Sequence, residues 1–167
     1  CYNEQEVLRL FYAALKKVLD SIADLEYRIL FVDDGSRDKT LEILEALAAE
    51  DPHVRVCSFS RNFGHQIALS AGLDAADGDA VLFMDCDLQH PPELIPQMVA
   101  LWREGNEVIS AVRKHTADAS LVKRVTSGGF YWLINKLSNI HIVPGAADFC
   151  LLARPAYETL RNMPERR

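Results

Sequence analysis

Apolar positions along this chain repeat in two rhythms that alternate. Val7, Leu8, Leu10, Phe11, Ala14, Leu15, Val18 and Leu19 fall at helical spacing and predict an amphipathic first helix. Residues 28–32 form a short apolar run that halts at Asp33-Asp34-Gly35-Ser36, which reads as a strand and a turn. Leu41, Ile43, Leu44 and Leu47 place a second helix, with Asp38 positioned to cap it. The same reading gives a strand at 54–59, a helix at 64–76, a strand at 80–84, a helix at 93–103 and a strand at 107–112. Residues 114–120 are polar and read as a loop. Val125, Phe130, Trp132, Leu133, Ile134 and Leu137 mark a longer, less regular helix. Residues 144–148 read as a turn leading into an apolar stretch at 149–152.

This alternation of strand and helix predicts an α/β fold, a mainly parallel sheet with helices on both faces. No internal repeat, low-complexity tract or linker interrupts it, so residues 1–167 read as a single domain with a sizeable core. No strand precedes the Tyr2-Asn3-Glu4 segment, and the chain stops at Arg166-Arg167. A fragment of a longer chain, with its first strand missing, is therefore expected.

Composition narrows the function by exclusion. The chain is 49% hydrophobic and 25% charged with a net charge of −6, which argues against a nucleic-acid partner, because backbone affinity rests on clustered Lys and Arg. No run approaches the ~18 consecutive apolar residues of a membrane span, and no signal peptide is visible. Cys1, Cys57, Cys86 and Cys150 are scattered and form no C-x-x-C pair. They read as buried thiols of a reducing compartment, not as a disulfide framework or a zinc site.

The candidate chemistry lies where the apolar run at 80–84 stops on two carboxylates one residue apart, Asp85 and Asp87, followed by Gln89-His90-Pro91-Pro92-Glu93. In an open α/β sheet the carboxyl ends of strands are where ligands bind. Paired carboxylates there suit Mg²⁺ or Mn²⁺ and, through the metal, a phosphate. The bare D-x-D pattern is weak, since thirteen aspartates give roughly one such pair by chance. A second copy, Asp77-Gly78-Asp79, precedes a strand and is explained by turn chemistry. Asp85 and Asp87 are different: their mutual repulsion costs free energy at a partly buried strand end unless a cation is present. Asp33-Asp34 ends another strand and should open onto the same edge. A response-regulator receiver domain also carries an acidic pair and a later single Asp. Here, however, a second carboxylate follows that later position, and the Pro-Pro pair has no place in that reading, so it stays a minor alternative.

Four motifs occur in order: Tyr2-Asn3-Glu4; Val32-Asp33-Asp34-Gly35-Ser36-x-Asp38-x-Thr40; Ser60-Arg61-Asn62-Phe63-Gly64; and Asp85-x-Asp87-Leu88-Gln89-His90-Pro91-Pro92-Glu93. Together they resemble the family 2 glycosyltransferases of the GT-A fold. The likeness is strongest to the polyprenyl-phosphate subgroup, the dolichol-phosphate mannosyltransferases and bactoprenol glucosyltransferases. Lys123-Arg124-x-x-Ser127-x-x-Phe130-Tyr131 and Ala147-Asp148-Phe149 are similar to that subgroup as well.

The resemblance implies a GT-A, Rossmann-like sheet and a role for each matched position. Tyr2, Asn3, Glu4 and Asp33, with Asp34, would hold the base and ribose of a UDP- or GDP-hexose, and Arg61 and Asn62 would lie along the same pocket. Asp85 and Asp87 would bring Mg²⁺ or Mn²⁺ to the diphosphate, Gln89 would support the metal or the sugar, and Asp148 would face the acceptor. The implied reaction is inverting transfer of a hexose to polyprenyl phosphate at the cytoplasmic face of the membrane, contacted through C-terminal segments this chain lacks. Arg113, Lys114, Lys123 and Arg124 could receive the acceptor phosphate. The aromatic run 130–134 reads as a packed helix before it reads as a membrane contact. Homo-oligomerisation is left open. Two other readings stand beside this one: a family 2 enzyme acting on a saccharide or other hydroxyl, and a non-catalytic nucleotide-sugar-binding module.

Overall fold

The structure, a computed structural model, describes residues 1–112 and 146–163. Helix α1 (Leu8–Leu19) buries Leu8, Phe11 and Leu15 along one face and ends with Lys16 and Lys17 in its last turn, where cations suit the helix dipole. Strand β1 (Ile29–Asp33) alternates buried and half-buried positions, turning Ile29, Phe31 and Asp33 inward. Helix α2 (Thr40–Glu50) buries Thr40, Leu44 and Leu47, and Asp38 accepts the Thr40 N–H at 2.9 Å just ahead of it. Strand β2 (Val54–Ser58) then pairs in parallel with β1, from Ile29 opposite Val54 to Asp33 opposite Ser58.

Helix α3 (His65–Asp74) leads into strand β3 (Ala80–Phe83). A single 3-10 turn (Pro92–Leu94), opened by the Pro-Pro pair, precedes helix α4 (Ile95–Arg103) and strand β4 (Val108–Val112). Strand β5 (Ala146–Ala153) and helix α5 (Arg154–Arg161) complete the described part.

The α/β alternation is as expected, but the described strands lie in two sheets, β1 with β2 in parallel and β3, β5 and β4 antiparallel, where one mainly parallel sheet was expected. β5 lies between β3 and β4 and runs antiparallel to both, with Phe83 opposite Cys150 and Ile109 opposite Leu151. Hydrophobic pattern fixes which side chains turn inward but carries no information on strand direction, which explains the difference. Residues 146–148 belong to β5 and are not part of a turn, and α5 was not foreseen at all. The loop expected at 114–120, the helix expected around Val125–Leu137 and the aromatic run at 130–134 lie outside the described residues.

Period-2 alternation along β5 feeds two cores. Phe149 and Leu151 join α1, β1, α2 and α4 in the larger one, while Leu152 packs with Leu73 of α3 and Tyr157 of α5 in the smaller. Helices therefore cover both faces of this sheet. Tyr157 is fully buried and donates its hydroxyl to Gly78 O at 2.6 Å. This contact accounts for the Asp77-Gly78-Asp79 turn structurally, as do the ion pairs of Asp77 with Arg28 and Asp79 with Arg154.

β1 and β3 do not pair with each other. A groove of about 1360 Å³ is lined by residues of both strands, such as Phe31 and Leu82, together with Leu15, Val99, Asp85 and Asp87. Cys1 takes the first position beside β1. Its amino group donates to Val32 O at 2.7 Å, and its carbonyl accepts the Asp34 N–H at 2.9 Å. All four cysteines are free thiols, and Cys86 is buried in the larger core, where loss of water pushes its thiol up to about 11.

Candidate active site

The strand ends gather four segments at one edge. The first is the Tyr2–Gln5 turn, which enters through a left-handed Asn3 (φ 56°) and is stitched to the start of α2. Asn3 N–H donates to Ser36 Oγ at 3.0 Å, and Asn3 Oδ1 accepts the Arg37 N–H at 2.9 Å. Glu4 N–H donates to Thr40 Oγ1 at 2.8 Å. The Asn3 side chain thus anchors the turn, leaving Tyr2 exposed and Glu4 half-buried. Burial holds the Glu4 carboxyl above its ordinary value, and the negative field of Asp87, with Asp38 and Asp85, adds to it. The turn and the acidic pair therefore share one electrostatic neighbourhood.

The second segment is the end of β1. Asp33 is fully buried and accepts hydrogen bonds from Ser58 Oγ at 2.8 Å and from the N–H and hydroxyl of Ser36. Asp34, also buried, turns the other way. Its two oxygens accept the N–H groups of Phe63 (2.7 Å) and Gly64 (2.9 Å). Adjacent carboxylates thus do separate jobs: Asp33 lines a cavity, and Asp34 shapes the third segment, the 60–64 loop, from behind. That loop presents exposed Arg61 and Asn62, with the Arg61 guanidinium 4.6 Å from the centre of the Phe63 ring. Asp33, Gly35, Ser36, Arg37, Arg61 and Asn62 enclose much of a cavity of about 220 Å³. Ser58 was not singled out from sequence, and Ser36 and Phe63 stood in the motifs without a role of their own, although the hydroxyls flanking the acidic strand end were a usable signal.

The fourth segment is the turn after β3. Asp85 and Asp87 are both partly exposed, with Cys86 between them turned into the core. Asp87 Oδ1 accepts the Gln89 N–H at 2.9 Å, and Leu88 is left-handed (φ 63°). The rings of two histidines approach Asp85. Nδ1 of His90 lies 3.7 Å and Nδ1 of His65 lies 4.0 Å from its carboxylate oxygens. Sequence spacing did not predict either approach. β5 adds a fifth element: Asp148 lies in it, two residues before Cys150, which pairs with Phe83 of β3. Arg113, Lys114, Lys123 and Arg124 lie outside the described residues.

Among the described residues, no three His, Cys, Asp or Glu side chains converge into a metal cage. Two open carboxylates fit a magnesium-like ion nonetheless, since such ions are held by one or two carboxylates, water and substrate phosphates in place of an all-protein shell. The unpaired repulsion between Asp85, Asp87 and Glu4 is what a divalent cation would relieve. Among the described residues, no helix is long and apolar enough to cross a membrane.

A family model described as Glycosyl transferase family 2 matches residues 1–161. The chain is 42% identical over 165 residues to the uncharacterized glycosyltransferase YkcC of Bacillus subtilis, covering 99% of this chain and 51% of that protein. It is 41% identical over 165 residues to the prophage bactoprenol glucosyl transferase homolog of Escherichia coli, covering 99% and 54%. The chain thus spans about half the length of the curated relatives it matches. Among solved structures it resembles a mannosyltransferase from Pyrobaculum calidifontis in complex with GDP-Man and Mn²⁺, with TM-score 0.66 and 19% identity over 98% of this chain and 45% of that one. That likeness is one of fold, and the fold is the α/β GT-A architecture.

Proposed function

The chain belongs to glycosyl transferase family 2, and from that premise we propose that it is a catalytic domain moving a hexose from UDP- or GDP-sugar to polyprenyl phosphate, with inversion and with Mg²⁺ or Mn²⁺. The observation that carries this reading is the meeting of two features at one sheet edge. One is the cavity walled by Asp33, Ser36, Arg61 and Asn62; the other is the half-exposed pair Asp85 and Asp87, beside the Tyr2–Glu4 turn.

Each group then has work that its chemistry suits. Asp33 and Asn62 would take the donor groups of base and ribose, Tyr2 and Arg61 would cover them, and Asp34 would keep the 60–64 loop in place. Asp85 and Asp87 would hold the metal, which neutralises charge building on the departing β-phosphate. Gln89, exposed beside Asp87, would steady the sugar or the metal's waters. A lipid phosphate has a second ionisation near ~6 and is largely dianionic at neutral pH. It attacks without needing a base, so Asp148 would orient it; with a hydroxyl acceptor the same residue would serve as general base. Arg113, Lys123 and Arg124 would receive the acceptor phosphate. The bactoprenol name of the Escherichia coli relative supports the lipid acceptor, which would be met at the cytoplasmic face of the membrane.

The test has two steps. UDP or GDP with Mn²⁺ should raise the melting temperature, by an amount equivalent to about 2.7 kcal/mol at a hundredfold excess over Kd. Nucleotide with EDTA should give no metal-dependent shift, and neither should Asp87→Asn. In the full-length protein, labelled hexose should then appear in polyprenyl phosphate. Label appearing only in a soluble sugar would favour the hydroxyl-acceptor enzyme, and metal-dependent binding without any transfer would favour a binding module.

A further inference from the structure

We infer that His90 is a positioning residue for the metal-binding turn: it fixes the backbone of Asp85 and ties that turn to β5, and so sets how tightly the divalent ion is held. This rests on the proposed metal role of Asp85 and Asp87.

The geometry is specific. His90 is 4% exposed, deeper than either carboxylate it follows. The Asp85 N–H donates to its Nδ1 at 3.1 Å, closing the turn from its last residue back to its first. The same nitrogen also stands 3.7 Å from Asp85 Oδ2, so the ring faces both the backbone and the carboxylate of that residue. The ring also stacks on Phe149 of β5, with centroids 5.3 Å apart and planes 18° apart, and Phe149 is itself 1% exposed. Phe149 directly follows Asp148. One side chain thus joins the turn that would carry the donor's metal to the strand that would face the acceptor.

The turn needs such a brace. Leu88 is held in a left-handed conformation that branched and bulky residues disfavour, and Asp85 and Asp87 repel each other. With two carboxylates offered by the turn, the ion's affinity depends on how well they are held before it arrives. Groups that orient metal ligands from behind change metal affinity by about 10–100-fold when removed.

The experiment separates the two functions of the ring in the full-length protein. His90→Phe keeps a ring on Phe149 and removes the acceptor; His90→Asn keeps an acceptor near the Nδ1 position and removes the ring. Mn²⁺ is titrated by electron paramagnetic resonance in the presence of UDP or GDP, beside wild type and Asp87→Asn. The expected result is Mn²⁺ affinity about 10-fold weaker in His90→Phe and largely retained in His90→Asn, although His90→Asn has the lower melting temperature. Wild-type affinity in His90→Phe, or an equal loss in both variants, would overturn the role of His90 alone, provided Asp87→Asn abolishes binding. No nucleotide-dependent Mn²⁺ binding by wild type would overturn the metal reading together with it.

Discussion

Asp51 draws together four donors from three residues: Tyr12 and Lys16 of α1, and His53 two positions on. It is buried and accepts from the Tyr12 hydroxyl at 2.6 Å, the His53 N–H at 2.9 Å and the His53 ring at 2.7 Å, with Lys16 Nζ 3.3 Å away. The Tyr12 bond is the largest of the influences that hold its carboxyl well below the usual carboxylate range, while burial opposes them. Asp51→Ala should cost about 2–3 kcal/mol at pH 7, because it strands the Tyr12 hydroxyl and the His53 N–H, while Lys16 keeps Asp20 and Tyr27. The folded carboxyl binds its proton at lower pH than the unfolded one. Its contribution is therefore complete above about pH 4–5 and fades as pH falls toward the depressed folded value. Urea unfolding of wild type and variant should show the gap narrowing in that acid range; a gap independent of pH would refute the assignment. Sequence gives no means of telling Asp51 from the other aspartates, because its partners come from α1 and from beyond α2. The same limit separates Asp33 from Asp34: their shared location was legible, their opposite directions were not.

Elements were read well wherever one periodicity held for a whole turn or strand. Helices α1, α2 and α4 and strands β1 to β4 fall within a few residues of their expected places. β5 escaped because Pro144-Gly145-Ala146 looks like a turn, and α5 because its packing residue, Tyr157, has only a short helix around it. Between elements, the tightest demand is at Gly35, which follows β1 with φ at 68°. A Cβ there would stand 2.3 Å from the carbonyl carbon of Arg61. Gly35→Ala should therefore push the 60–64 loop outward, cost more than about 1 kcal/mol, and shrink the nucleotide-dependent thermal shift well beyond that stability loss. A variant that binds nucleotide as wild type does would show that the β1 turn and the loop are not jointly required. The glycine was visible in the motif, but the backbone it lets pass belongs to a segment 26 residues later.

Over the whole molecule, three of the four motifs were legible as neighbours because each follows a strand, and strand ends share an edge; the Tyr2–Glu4 turn has no strand before it and was joined to them through the resemblance. The antiparallel return of β5 between β3 and β4 was not legible. It also sets an order in time. Parallel pairing of β1 with β2 closes a short stretch of chain through α2, whereas pairing of β3 with β5 must wait for partners as distant as Phe83 and Cys150 to meet. Closing long loops is slow because their entropy is lost before contacts repay it. Pulse-labelled hydrogen exchange during refolding should protect the amides of Val56 and Phe31 before those of Leu82 and Leu151; simultaneous protection would count against this order. The half that would recognise the nucleotide would thus mature first, and the β3–β5 pairing beside the Asp85 turn would become native after it.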